Sequence, residues 1–381
     1  NADRPVLIFS DISDFENSIV SRSSFKGFIS DDDGDVKGLW YIDSSEYGSS
    51  KLPSASDAGK EFNGWKPITV APTTGDWEIT LKNEGKNSFE FCAVDSEGTV
   101  FDTKKTSAFE RLSLKAGGNA QTAPQTIKFT YDKTPPVVKL SYAHGSETSV
   151  PSEFSNASSV FGVNEYLYVK AEITENVGLA AENPLVLELG GVKQTVTSTL
   201  VQEEGKSPYY KFAGIPIKGM TSGSLQIAVT AKDKAGNEGK GIEQITIDTE
   251  APTIKIVSPT TAVSDAITGS VTIKGIAQDN ASSVSKIQYL IPTVDQAALY
   301  TSTGKISSGW KEVGNSGSWE IQFASGAAES SDSLLYYVNA EESGRNLYAV
   351  ESFGAEGENI WKVPLYFKVY DSCGNEAIRT T

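Results

Sequence analysis

The chain has 381 residues, a net charge of −16, one histidine, two cysteines and six tryptophans. Its acidic excess is spread evenly along the length, which excludes a sequence-independent grip on nucleic acid or anionic lipid. No apolar run approaches the ~20 residues of a membrane span, and two cysteines cannot build a disulfide framework.

The chain opens on Asn1 rather than Met and reads as a piece of a longer protein. Asp3-Arg4-Pro5 precedes the strand-like run Val6-Leu7-Ile8-Phe9, and Phe25-Lys26-Gly27-Phe28-Ile29 follows. Asp31, Asp32, Asp33 and Asp35 then form a dense acidic run. Trp65 and Trp77 each follow a glycine closely, and Trp40 lies upstream of both. The run Phe89-Glu90-Phe91-Cys92 alternates as a half-buried strand does and leads to the turn at Asp95. Ile127–Tyr131 closes this stretch and meets Asp132-Lys133-Thr134-Pro135-Pro136.

Beyond that linker, Val137–Leu140 predicts a strand, and His144 is expected in an exposed loop after it. Glu175-Asn176 marks an acidic turn. The alternating run Leu225–Val229 enters Asp233-Lys234-Ala235-Gly236-Asn237-Glu238, whose Gly-Asn supplies a positive-φ hairpin turn. Ile245–Ile247 then reaches a second linker, Asp248-Thr249-Glu250-Ala251-Pro252. In the last stretch Thr253–Val257, Ile273–Ala277 and Leu365–Val369 read as strands. Asp279-Asn280 marks an early turn, and Asp371-Ser372-Cys373-Gly374-Asn375-Glu376 repeats the earlier turn motif. An insertion near 325–359 carries Leu334–Val338 and Asn346–Val350, expected to form an extra hairpin. Helix-compatible segments such as Ala324–Ser331 are short.

The repeated linkers and turns divide the chain into residues 1–133, 134–250 and 251–381. The first and third stretches match further: Phe25–Asp32 parallels Ile273–Asn280, Trp65 parallels Trp310, and Trp77 parallels Trp319. The fold class expected is all-β: three tandem antiparallel β-sandwiches in an extended array. The string Ala228–Asn237 with Ile245–Pro252 resembles the bacterial immunoglobulin-like repeats of large surface and secreted adhesins. That resemblance implies a non-enzymatic structural segment at the cell surface or outside the cell, a rod presenting a distal module, and no inter-sheet disulfide.

Conventional catalysis has little material here. A triad would have to be built around His144, and neither a nucleophile elbow nor a zinc-type His/Cys spacing is present. In a sandwich of this type the entering linker, the early turn and the late turn meet at one end. For the first stretch this gathers Asp3, Asp31, Asp32, Asp33, Asp35 and Asp95; for the second, Asp132, Glu175 and Asp233; for the third, Asp248, Asp279 and Asp371. Hard oxygen donors of this kind suit Ca²⁺, which would stiffen the junctions. The competing reading is that each aspartate caps its own turn.

The matched tryptophans read either as repeated core or as stacking platforms for sugar. Tyr336, Tyr348 and Trp361 are the candidate ligand-binding residues, for a glycan or a host or cell-surface protein. The alternatives to a structural segment are such a binding module, or accessory domains of a polysaccharide-degrading enzyme. No nucleic acid, no membrane insertion and a monomeric state are expected.

Overall fold

A computed structural model describes residues 5–10, 15, 18–31, 34–98, 100–102, 111–114, 120–122, 126–205, 207–259, 270–315, 317–324, 330–342, 344–353 and 360–380. Period-two patterning places the strands. In Ser318–Phe323 the odd members Trp319, Ile321 and Phe323 are buried while Ser318, Glu320 and Gln322 face water. Asp76–Thr80 repeats the pattern with Trp77 and Ile79 inward.

These strands make three pairs of sheets along the chain. In the first pair, Val6–Phe9, Ser24–Ser30 and Asp76–Thr80 share one sheet, extended beyond Val6–Phe9 by Arg111–Leu114 and Ala120–Thr122. Its partner runs Ile19–Val20, Ile127–Tyr131, Gly85–Val94, Gly38–Asp43, Lys66–Ile68, with Val100–Asp102 also on Gly85–Val94. The middle pair orders Val137–Gly145, Tyr166–Thr174, Tyr209–Phe212 and Ser198–Val201 in one sheet. The other runs Val160–Gly162, Glu238–Asp248, Gly223–Lys232, Leu185–Leu189, Val192–Lys193. The third pair is Thr253–Ser258, Val271–Gln278, Ser318–Phe323 and, separately, Lys311–Gly314, Val284–Leu290, Tyr366–Asp371, Glu376–Thr380.

One strand order serves all three. Two early strands join a later one in the first sheet, and the penultimate strand of the second sheet sits between the last strand and an early one. This is the order of an immunoglobulin-type sandwich. In the first and middle pairs a short early strand lies parallel to the last: Ile19–Val20 beside Ile127–Tyr131, and Val160–Gly162 beside Glu238–Asp248. The chain is all-β in class, as its sequence indicates.

By compactness the chain forms two units. One comprises 1–139, 172–187 and 229–241. Its main core gathers Phe9, Phe15, Phe25, Trp77, Phe91 and Phe129 in edge-on and tilted ring contacts. The other comprises 140–171, 188–228 and 242–381, with a core around Trp319, Ile321, Phe323, Phe367 and Val369.

In both cores a glycine faces a tryptophan across the sheet: Gly27 opposite Trp77, and Gly275 opposite Trp319. A Cβ on Gly27 would fall 2.6 Å from Cζ2 of Trp77, and one on Gly275 2.0 Å from Cζ2 of Trp319. The indole lies where a side chain would stand. Trp77 and Trp319 are therefore repeated core, and Trp65 is fully buried, while Trp310 is half-buried.

Three expectations change. The strand Gly85–Val94 is buried on both faces from Phe89 onward, not half-buried, because Trp40, Ile42, Trp65, Cys92 and Val94 form a second small core on its other face. Leu334–Asn339 is a short helix rather than a hairpin strand. The Ser333 hydroxyl accepts from Leu335 N at its start, and Tyr337 packs inward. A second helix, Val294–Thr303, was not read from the sequence; Thr293 and Gln296 form its capping box and Gly304 closes it at φ 67°. Most of Ala324–Ser331 lies outside the described residues.

Gly275→Ala is expected to lower stability by about 1–3 kcal/mol through overpacking, since Lys255 O also lies 2.4 Å from the added carbon. Thermal unfolding followed by tryptophan fluorescence measures it.

Candidate metal centres at the Asp/Pro linkers

Each linker aspartate ends a strand and is fully buried: Asp132 after Ile127–Tyr131, Asp248 at the close of Glu238–Asp248. One oxygen of each caps the linker turn. Asp132 Oδ1 accepts from Thr134 N at 3.2 Å, and Asp248 Oδ1 from Glu250 N at 3.2 Å. The asparagine of the following Gly-Asn turn then grips the linker. Asn237 Nδ2 donates to the Asp132 carbonyl at 3.0 Å and to Asp233 Oδ2 at 2.8 Å. Asn375 Nδ2 does the same with the Asp248 carbonyl at 3.2 Å and Asp371 Oδ2 at 2.9 Å. Asp233 and Asp371 complete the turn by accepting from the asparagine's own backbone N–H, each at 2.9 Å. The two sequence motifs are thus two halves of one hydrogen-bonded clamp.

The clamp brings acidic groups together. Ligand atoms of Asp132, Glu175 and Asp233 lie within 4.8 Å of one another, as do those of Asp248, Asp371 and Cys373. Glu175 also accepts from Asn176 N and Val177 N, both at 2.7 Å. Burial, opposed by the Asn375 bonds and aided by the Asp248 charge, holds the Asp371 carboxyl above its ordinary range. Burial and then the Asp248 charge push the Cys373 thiol up to about 12.

A cation fits both places on one observation. Asp132 Oδ2 and Asp248 Oδ2 are buried and receive no hydrogen bond. Asp132 Oδ2 stands beside two further carboxylates, and Asp248 Oδ2 beside the Asp371 carboxylate and a thiol. A buried carboxylate oxygen without a donor, next to another carboxylate, is unfavourable unless a proton or cation neutralises it. The capping reading holds for one oxygen of each aspartate and leaves the other unexplained.

The other acidic candidates are placed differently. Asp279 Oδ1 accepts from Ala281 N at 2.9 Å and Ser282 N at 2.7 Å, capping its own turn. In the first stretch Asp3, Asp32 and Asp33 lie outside the described residues. Asp35 Oδ2 accepts from Ser96 N at 3.1 Å, and Asp95 is buried. Among the described residues, Asp31, Asp35 and Asp95 form no three-ligand set. Cys373 was missed as a site residue. Its signal was present, since it stands in the turn where the earlier copy has Ala235, but only the linker's approach makes the sulfur face a carboxylate.

Tyr336 and Tyr348 are half-buried and pack on the core with Tyr337, whose ring centroid lies 4.8 Å from that of Tyr348. Trp361 is exposed. His144 is not in an exposed loop. It sits in the strand Val137–Gly145, half-buried, with Nδ1 3.0 Å from Glu165 Oε1, Nε2 3.0 Å from Ser158 O, and its ring stacked 3.9 Å from Phe161. The alternation carries it onto a face that Phe161 covers, and Glu165 supplies a partner. The hydrogen bond to Glu165 raises its pKa against the opposing effect of burial. Glu165 is held low: burial works the other way, but the bonds from His144 and Gly162 N prevail.

No family model matches the sequence, and no curated protein does. Solved structures with a similar arrangement include a 1.5-MDa bacterial ice-binding adhesin studied for host cell surface retention (14% identity, TM-score 0.32, 100% of this chain and 96% of that one). A tetra-tandem repeat from the extending region of a large adhesion protein is another (14%, 0.26, 99% and 73%). The fibronectin(III)-like modules of Clostridium thermocellum CbhA are a third (13%, 0.28, 65% and 94%). The fold assignment here stands on the strand order above. No helix among the described residues is long and apolar enough to cross a membrane.

Asn237→Ala and Asn375→Ala should each cost about 1–3 kcal/mol, because a buried carboxylate oxygen and a linker carbonyl lose their donor together; urea unfolding reads the loss. The His144–Glu165 pair gives a pH signature. The raised histidine stabilises fully below its unfolded value of 6.5, and this is lost as pH rises through its folded value. The lowered glutamate stabilises above its unfolded value of 4.5 and fails on acidification. Both contributions are expected together between those pH values, and Glu165→Gln should flatten the alkaline-side decline in a series of urea melts.

Proposed function

We propose that this chain is a non-enzymatic structural segment of a bacterial cell-surface or secreted protein of adhesin type. Three immunoglobulin-like domains, residues 1–133, 134–250 and 251–381, act as a spacer that presents a distal module, with Ca²⁺ stiffening the linkers. The observation that carries this is the repeated clamp: at each linker an asparagine of the late turn, Asn237 or Asn375, grips the carbonyl of the linker aspartate, beside a buried carboxylate oxygen that lacks a donor. A segment whose most elaborate polar chemistry lies where one sandwich's last strand hands over to the next linker is built to control that handover. Thr-Pro-Pro and Glu-Ala-Pro are also too short and restricted to act as free tethers. Asp132, Glu175 and Asp233 supply the oxygen-only ligand set that Ca²⁺ prefers, with further oxygens to come from water or backbone.

Thermal unfolding after chelation and again in millimolar Ca²⁺, with Mg²⁺ as control, tests the reading. Binding to the folded state alone adds about 2.7 kcal/mol at a hundredfold excess over Kd. A Ca²⁺-specific rise in Tm that disappears in Asp132→Asn and Asp233→Asn is expected. An unchanged Tm in the wild-type chain would leave the aspartates as turn caps alone.

A further inference from the structure

The two clamps differ in one donor atom. Two residues beyond Asp233 stands Ala235; two residues beyond Asp371 stands Cys373. The third member of the first cluster is Glu175 and that of the second is a sulfur, so one set is all oxygen and the other is two oxygens and a thiol. Cys373 is also held in place. Its N–H donates to Asp371 Oδ1 at 2.8 Å. Its carbonyl and Cβ lie against Gly162, the cross-strand partner of Asp248, so closely that a Cβ on that glycine would meet them at 2.4 and 3.0 Å. Independently of the sulfur, Asp248 is fully buried and its Oδ2 has no hydrogen-bond partner.

We propose that Asp248, Asp371 and Cys373 form a site for a thiophilic divalent cation of the zinc and cadmium class, distinct in metal preference from Asp132, Glu175 and Asp233. The inference rests on reading the linker clusters as cation sites and assigns the second one its own metal. Calcium takes six to eight oxygens and gains little from sulfur. Zinc binds thiolate at ~2.3 Å and carboxylate oxygen at ~2.0–2.2 Å in tetrahedral geometry, which sets its donor atoms roughly 3.5 Å apart. The three atoms here lie within 4.8 Å of one another, and binding draws them toward that spacing. On binding, a metal–sulfur bond forms and the thiol proton leaves to solvent, with no change of oxidation state. Three protein ligands leave a fourth position for water. The site then joins the second linker, through Asp248, to the late turn, through Asp371 and Cys373, by coordination in addition to the Asn375 clamp.

The full chain, stripped of metal with a chelator, is titrated with Cd²⁺ alone and followed by the ultraviolet charge-transfer absorption of a cadmium–thiolate bond. A stoichiometric band is expected in the wild-type chain. It should be absent from Cys373→Ala, which installs the residue of the earlier turn, and from Cys373→Ser. Asp248→Asn, which keeps the cysteine, should weaken Cd²⁺ binding by about tenfold or more. Cys92 is fully buried beside Trp40 and Trp65 and should contribute no band. A wild-type chain without the band, or a band that survives in both Cys373 variants, overturns the proposal. Failure of the calcium reading shows elsewhere, as an unchanged Tm with Ca²⁺, and leaves the cadmium band intact.

Discussion

The asparagine side chain at each late turn is the interaction on which the arrangement at the linkers depends. Asn237 and Asn375 each donate from one amide to a linker carbonyl and to the turn aspartate, while the backbone N–H of the same residue closes the turn. Asparagine suits the task because its amide offers two donors on a short stem. Aspartate in its place would add a further carboxylate to those already gathered, and alanine would leave two acceptors, the linker carbonyl and the turn carboxylate, without that donor. Gly239 adds a steric condition at the first linker, since a Cβ there would fall 1.7 Å from the Pro136 carbonyl oxygen.

Buried carboxylates accompany the clamp at both linkers, and their cost explains why chemistry gathers there. Desolvating an anion is expensive, and setting a second beside it more so. Hydrogen bonds from Asn375, Cys373 N and Glu250 N relieve part of that cost at the second linker. The remainder appears as the raised carboxyl of Asp371 and the orphaned oxygen of Asp248. Unit one meets a similar problem inside its second core by pairing alone. Tyr47 donates to Asp102 Oδ2 and Thr126 to Glu90 Oε1, both at 2.6 Å.

Much of this was legible in the residues. Alternation located the strands that carry the cores, and the parallel strings around Gly27 and Gly275 marked one repeated packing unit, glycine beneath indole. The turn and linker motifs were visible as repeats, but their union by a single side chain was not, because sequence spacing does not say which carbonyl an amide will reach. The second core over Gly85–Val94 escaped notice because Trp40 and Trp65 come from distant segments and cover a face that alternation alone assigns to water. The helix at Val294–Thr303 carried an audible signal in Thr293, Gln296 and Gly304, outweighed by the β-rich surroundings. Cys373 looked like an ordinary turn residue until Asp248 was placed against it.

The short parallel strands carry a mechanical consequence. Ile19–Val20 lies beside Ile127–Tyr131, with Thr130 N donating to Ser18 O and Asp132 N to Val20 O; Thr246 N likewise donates to Ser159 O beside Val160–Gly162. When an early strand and the last strand run in the same direction, tension along the chain pulls them past each other lengthwise. The bonds between them then bear load together instead of opening one after another like a zipper.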